Sequence, residues 1–415
     1  MLPLRPRAPA PFALIALFSS AMIAGTCSTA ARADANPYYI GAALNLSRVS
    51  NIYRQNSNAN NDTVSTASLL AGLDQSFGRQ RLFADASLQA NRYQSNSGLN
   101  NRGYTLKAGL DWSTVERLSG SLSVNNSRSL ANYNIGSGVQ PIFKKNIEDN
   151  KQLDFITRLG LATKISMEAQ GGLRSRRFTA QEYARLEFDQ KRVALGLYYR
   201  PSSDLSVGLA GRLTRDEYPR YTLVNPITGN YTASIFERKD LDLTSRVVLS
   251  GASTVEGRLS NGRSKLKSGQ GRDFSGITGQ VSWLWKPTAR WNLSSSFSRD
   301  TGLETSFFNF AGTSLSSDQN RIITGAQFSA NYELSAKLAL SAGFSSSKTD
   351  RRDEFLNQQS SSHDRDKSFN LGARWAYSRG IQLGCQYSKS TRDSSIAVYV
   401  FEADSYGCYG QIILN

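Results

Sequence analysis

Leu118-Ser119-Gly120-Ser121-Leu122-Ser123-Val124 sets an apolar residue or glycine at every second position, with serine between. A period of two puts one residue set on each face of an extended strand. The same beat returns at Leu338-Ala339-Leu340-Ser341-Ala342-Gly343-Phe344 and at Phe369-Asn370-Leu371-Gly372-Ala373-Arg374-Trp375-Ala376-Tyr377. From about residue 40 to the C-terminus, alternating stretches of ten or so residues are separated by turns. One face is apolar, and the other carries Ser, Gly, Gln, Asp and Arg. A soluble sandwich alternates too, but these strands are long for one. The reading is therefore all-β: a transmembrane antiparallel up-and-down β-barrel with a wet interior.

The N-terminus supports that context. Arg5 and Arg7 precede an apolar run from Phe12 to Gly25, too short to span a bilayer, and Ala31-Arg32-Ala33 and Ala33-Asp34-Ala35 are small-x-small cleavage sites. Residues 1–33 read as a secretory signal peptide, cut after Ala33 or Ala35, leaving 34–415 as a single domain. Cys27 fits a lipidation signal less well, because Thr26 stands where Gly or Ala is wanted. Cleavage after Ala33 leaves 46 basic against 33 acidic residues, a net +13. Mean hydropathy of −0.40 excludes a helical membrane protein. A barrel escapes that test, since only alternate residues touch lipid.

Short turns alternate with long polar loops. The short turns fall at Gly78–Gln80, Thr114–Glu116, Ala162–Lys164, Pro201–Asp204, Ser253-Thr254, Lys286–Ala289, Ser335-Ala336 and Ser378–Gly380. Nine long loops lie between them, among them Gln55–Asp62, Asn132–Asn146, Pro219–Ser234, Leu303–Ser317 and Arg351–Asp364. The count implies about 18 strands, with short turns periplasmic and long loops extracellular. Trp112, Trp283, Trp285, Trp291 and Trp375 all stand within a few residues of a short turn. They read as a periplasmic aromatic girdle, because tryptophan pairs an apolar ring with a polar tip. The location that follows is the outer membrane of a Gram-negative bacterium.

Strand parity separates the faces. Tyr104, Leu106, Ala108, Leu110 and Trp112 face lipid, whereas Thr105, Lys107, Gly109 and Asp111 face the lumen. A charge on the lipid face near mid-membrane costs ~2–4 kcal/mol, so charges belong inside. In the middle of the chain the lumen parity collects Arg158, Arg174, Arg176, Arg192, Arg212, Arg246 and Arg258, with Asp154, Glu168, Asp242 and Glu256 on the same wall. Two readings fit: a network of ion pairs that stiffens the wall, or a basic track for an anionic chain, since guanidinium pairs bidentately with carboxylate. Pairing the last two strands about Ile396 and Ala397 sets Cys385 opposite Cys408. A disulfide is expected there in an oxidising envelope.

Enzymatic chemistry finds no support. The one histidine, His363, falls in a polar loop, and there is no CxxC, phosphate-binding loop or metal-ligand cluster. No cofactor or metal is implied. The excess of basic residues is assigned to the lumen and loops rather than to nucleic acid, with outer-membrane lipid and lipopolysaccharide phosphate as partners.

Ser50-Asn51-Ile52-Tyr53-Arg54, Asp62-Thr63, Arg79–Leu88, Tyr104–Val124 and the closing Ser405-Tyr406-Gly407-Cys408-Tyr409-Gly410-Gln411 resemble the exopolysaccharide-operon outer-membrane β-barrel family, the EpsL-like porins. The resemblance is clearest up to about Ser129 and at the C-terminus, and thins between. It implies a passive conduit for exporting an exopolysaccharide or capsular polysaccharide, working with periplasmic or inner-membrane synthesis machinery, and brings no catalytic residue. The alternative is a general or anion-preferring diffusion porin for small solutes. The chain departs from many outer-membrane proteins in ending Ile412-Ile413-Leu414-Asn415 rather than on an aromatic residue.

Overall fold

The structure, a computed structural model, describes residues 36–414 apart from 116, 136–140, 161, 163, 226–228, 270–272, 302–320 and 356–357. The signal peptide and the loop Leu303–Ser317 lie outside the described residues.

Eighteen strands run in chain order: β1 Tyr38–Val49, β2 Asp62–Phe77, β3 Gln80–Tyr93, β4 Asn101–Ser113, β5 Leu118–Leu130, β6 Ile147–Gly160, β7 Ile165–Phe178, β8 Phe188–Tyr199 and β9 Leu205–Asn225. The second half comprises β10 Asn230–Ser250, β11 Ser253–Ser268, β12 Phe274–Trp285, β13 Trp291–Thr301, β14 Arg321–Glu333, β15 Leu338–Phe355, β16 Gln358–Ala376, β17 Ile381–Ser394 and β18 Phe401–Leu414. Each pairs antiparallel with its neighbours in sequence, and β1 pairs with β18 from Ile40↔Leu414 to Val49↔Ser405, closing the sheet on itself. Eighteen strands ~4.8 Å apart and tilted ~40° make a ring about 36 Å across, backbone to backbone.

The alternation is visible as exposure. On β8, Val193, Leu195 and Leu197 are 55–57% exposed on the outside, and the interleaved Gln190, Arg192 and Gly196 are buried inside. A belt of exposed Leu, Val, Ile and Phe runs round the outside. In water such a surface would drive association; in a bilayer it is the solvated face. The shortest strand has 11 residues, enough to cross an apolar band about 25 Å tall at this tilt. Closure, the apolar belt and the polar interior identify a transmembrane barrel of the Gram-negative outer membrane.

All five tryptophans stand at the short-turn end. Trp283 stacks on Trp285 at 5.4 Å, Trp291 meets Tyr332 at 4.5 Å, and Trp375 meets Tyr377 at 5.5 Å. Trp112 lies across Gly120 of β5, where an added Cβ would come within 2.4 Å of its ring.

Several sequence expectations need correction. The turn placed at Ser253-Thr254 is formed by Gly251-Ala252, and Ser253 opens β11. Pro219–Ser234 is not a loop, since β9 and β10 continue to Asn225 and from Asn230. Arg351–Asp364 is likewise strand: β15 runs to Phe355 and β16 starts at Gln358, so His363 sits on β16 opposite Asp350. The Arg351–Asp364 stretch is almost entirely polar because its hairpin rises above the membrane, where neither face meets lipid, and Pro219–Ser234 mixes Tyr221, Leu223, Val224 and Tyr231 with polar residues in no sustained period of two. The alternation that betrays a strand is lost there.

Candidate functional site

Two features shape the passage: one wall of the lumen, and the extracellular mouth.

The wall runs from β6 to β11, and the seven arginines named from parity do share it. Most are ion-paired. Arg176 lies 2.8 Å from Glu148, Arg192 2.9 Å from Asp154, Arg158 2.5 Å from Glu168 and Arg246 3.0 Å from Glu256. Arg212 holds Asp242 at 2.9 Å and Asp240 at 3.4 Å. Arg174 lies over the Phe188 ring, 5.3 Å from its centre, and Arg258 is buried in the same wall. Arg176, Arg192 and Arg212 are almost wholly covered, whereas Arg158 and Arg246, nearer the periplasmic turns, keep 44% of their side chains exposed. The covered arginines are held in ion pairs, and Arg158 and Arg246 stay partly open beside their partners.

Parity reading missed Arg238. It sits 1% exposed between strands, donates to Asp240 at 2.8 Å, and reaches Thr278 on β12 and Thr301 on β13. Its signal in the sequence was the alternation Arg238, Asp240, Asp242 on the lumen parity of β10, of which the sequence reading used only Asp242. Glycines make room for these pairs. A Cβ on Gly262 would stand 1.9 Å from an Asp240 carboxylate oxygen, and one on Gly172 would stand 3.1 Å from both partners of the Arg192–Asp154 pair. A buried charge is tolerated only when paired, so these glycines on neighbouring strands are part of the wall's electrostatics.

The mouth is lidded. Loops β1–β2, β3–β4, β5–β6 and β7–β8 share one apolar core, in which Tyr53, Leu99, Tyr133, Ile142, Tyr183 and Leu186 are buried. Edge-to-face contacts join Tyr53 to Tyr133 at 5.0 Å and Phe178 to Tyr183 at 5.4 Å. Tyr93, facing inward from β3, packs against this core. Asn134 of the β5–β6 loop donates to the Arg54 carbonyl at 2.6 Å and to the Val398 carbonyl of the β17–β18 loop at 3.3 Å. Arg392 of β17 donates to the Asn134 carbonyl at 2.6 Å. The β5–β6 and β17–β18 loops leave the wall six strand positions apart, a third of the circumference, or about 31 Å on the ring estimated above. Hydrogen bonds between them mean that the loops cross the mouth.

The lid carries backbone strain and buried charge. Arg54 and Asn134 both take positive φ, 54° and 49°. Asparagine tolerates this region and arginine rarely visits it. Arg54 and Arg392 lie over the same Phe401 ring at 5.3 and 5.4 Å. Burial, and then the neighbouring Arg392, pull the Arg54 pKa down to about 10. Burial pushes the Tyr183 hydroxyl up to about 12. On the rim, the hydrogen bond from Lys144 at 2.8 Å holds the Glu182 carboxyl below its ordinary range.

Cys385 and Cys408 stand directly opposite in the β17–β18 ladder and are joined by a disulfide. They sit on the outward face with Leu383, Tyr387 and Tyr406. Among the described residues, no group of three His, Cys, Asp or Glu side chains could hold a metal ion.

No protein-family model matches the chain, and no curated protein matches it. Among solved structures it resembles OccK3 (OpdO) of Pseudomonas aeruginosa at 12% identity and a TM-score of 0.46, covering 91% of this chain and 95% of that one. It resembles OccK11 (OpdR) of the same organism at 12% identity and a TM-score of 0.42, covering 91% and 96%. The FrpB iron transporter of Neisseria meningitidis matches at 11% identity and a TM-score of 0.46; 85% of this chain is covered, but only 61% of that longer one. The membrane placement rests on the barrel itself: its closure, its apolar belt and its girdle.

Proposed function

We propose that the barrel is a passive diffusion channel for small hydrophilic solutes, with the loop lid setting its size limit. The observation that carries this reading is the bridge from Asn134 to Val398 across the mouth. An 18-stranded barrel leaves an aqueous bore, and the bridge narrows its extracellular end. The wall supports a general rather than a strongly charge-selective passage. From β6 to β11 its arginines face Glu148, Asp154, Glu168, Asp216, Asp240, Asp242 and Glu256, so little net charge is left to select ions. Export of an exopolysaccharide, which the family resemblance implies, has less behind it, because a polymer needs a wide exit where this mouth is bridged.

Proteoliposome swelling with sugars of rising size tests the reading. The wild-type protein should admit mono- and disaccharides and exclude larger oligosaccharides. Asn134→Ala combined with Arg392→Ala, which removes both bonds of the Asn134 amide and the guanidinium bond to its carbonyl, should raise that limit and enlarge single-channel conductance. A barrel that admits none of these sugars and conducts no ions in planar bilayers would refute the proposal. If deletion abolished surface polysaccharide while sugar uptake stayed unchanged, export would take its place.

A further inference from the structure

The outer face carries a charge cluster that is independent of what passes through the lumen. On β8–β11 the outward parity brings together Lys191, Arg215, Lys239, Arg263, Lys265 and Lys267, with Asp189, Glu217 and Glu237 as the carboxylates among them. Six cations against three carboxylates leave +3. The corresponding rim of β15–β18 carries Lys348, Arg365, Lys367 and Lys389 against Asp350, Asp393, Glu402 and Asp404, a net of zero. Arginines 92, 102 and 128 extend the basic rim over β3–β5 more sparsely.

The register makes the β8–β11 cluster unfavourable on its own. Lys191 is directly opposite Arg215, and Lys239 is directly opposite Arg263. Like charges directly opposite destabilise a ladder. Glu237 relieves part of this, lying 3.8 Å from Arg215 and 3.1 Å from Lys267. Lys191, Lys239 and Arg263 have no carboxylate within 4 Å among the described residues.

Height is also informative. Lys191 stands eight residues above the girdle-level Tyr199, and Lys239 ten above Leu249. At ~3.3 Å per residue and ~40° of tilt, that is about 20–25 Å, the far edge of the apolar band. A groove of about 640 Å³ joins the two levels: Phe155, Leu173, Val193 and Leu213 line its apolar part, and Lys191, Arg215, Lys239 and the carboxylate of Glu237 line the rest. Gly171 leaves it open, since a Cβ there would meet nothing closer than 3.9 Å.

We infer that this face binds a diphosphorylated glycolipid of the outer leaflet, its phosphates between Lys191, Arg215, Lys239 and Arg263 and an acyl chain in the groove. The charge is complementary, and the cations lie at headgroup height above an apolar slot. Lys191 and Lys239, two strands and two residues apart, are separated by about 12 Å, wider than one phosphate and suited to two. Guanidinium and ammonium groups both bind phosphate oxygens, arginine bidentately.

The test uses the full-length barrel folded in detergent micelles, titrated with diphosphoryl lipid A and with the same lipid stripped of both phosphates. Wild type should bind the diphosphoryl form at least tenfold more tightly. Lys191→Gln/Lys239→Gln/Arg263→Gln should lose at least tenfold in affinity for it. Arg365→Gln/Lys367→Gln/Lys389→Gln, which removes three cations from the other rim, should keep wild-type affinity. Equal binding of the two lipids by wild type would overturn the inference, and that comparison needs no variant to fold. It would equally be overturned if both triple variants lost affinity alike, if phosphatidylglycerol competed as well as lipid A, or if sedimentation found a second copy of the chain covering this face.

Discussion

Arg212 enters the lumen wall with its guanidinium between Asp240 and Asp242, and all three side chains are less than a tenth exposed. Removing one partner from such a group leaves uncompensated buried charge, a loss of about 3–5 kcal/mol. Arg212→Ala should therefore lower unfolding stability by that order in urea titrations. Arg212→Met combined with Asp242→Asn should recover much of it, because Asp240 keeps the Arg238 guanidinium as its partner and no other carboxylate of the group is left charged. Glu182 behaves differently, being exposed on the rim. Its carboxyl is held below the ordinary range by Lys144, so the pair contributes stability above about pH 4.5, and this is lost as pH falls through the lowered value. An exposed pair is worth ~0.2–1 kcal/mol. Protease protection of the lid should thus weaken by no more than about fivefold on acidification, and the difference between wild type and Glu182→Gln, present at pH 7, should vanish in acid. Residue parity made seven of the wall arginines legible in advance. Their partners were only half legible, because which carboxylate meets which guanidinium depends on register and on the room left by Gly172 and Gly262.

Among the elements, the β17–β18 hairpin is the most constrained. Cys385 and Cys408 are separated by 23 residues, and a loop of that size gains ~3 kcal/mol from closure in the chain-entropy account. Denatured, unreduced protein should show no free thiol, and Cys385→Ser/Cys408→Ser should unfold at lower urea. Strands that cross the bilayer were readable because lipid on one side and water on the other enforce a period of two. The upper parts of β9, β10, β15 and β16 were read as loops because water bathes both their faces. The lid was not readable at all. Arg54, Asn134 and Val398 are far apart in sequence, and loop contacts across a mouth leave no periodic trace.

At the scale of the molecule, the outer belt defines what the barrel is dissolved in. Leu195 lies mid-height on β8 and is 57% exposed. Leu195→Arg should cost ~2–4 kcal/mol in vesicles, where it meets acyl chains. The neighbouring Ala194→Gln, facing the lumen, should cost much less. Equal and small effects of both would mean that the outer face is not in lipid. The strand count and the orientation of the girdle followed from turn spacing and tryptophan position alone, since both are set by membrane thickness rather than by tertiary detail.

The hydrogen bond from Asn134 to Val398 joins a segment made early in synthesis to one made later, and the seam between β1 and β18 runs between them. It cannot form until the final hairpin has docked. Protease resistance of residues 50–61, 131–135 and 141–146 would therefore mark the moment at which the barrel closes: a half-inserted chain, with β1 still unpaired, would leave these segments open to cleavage.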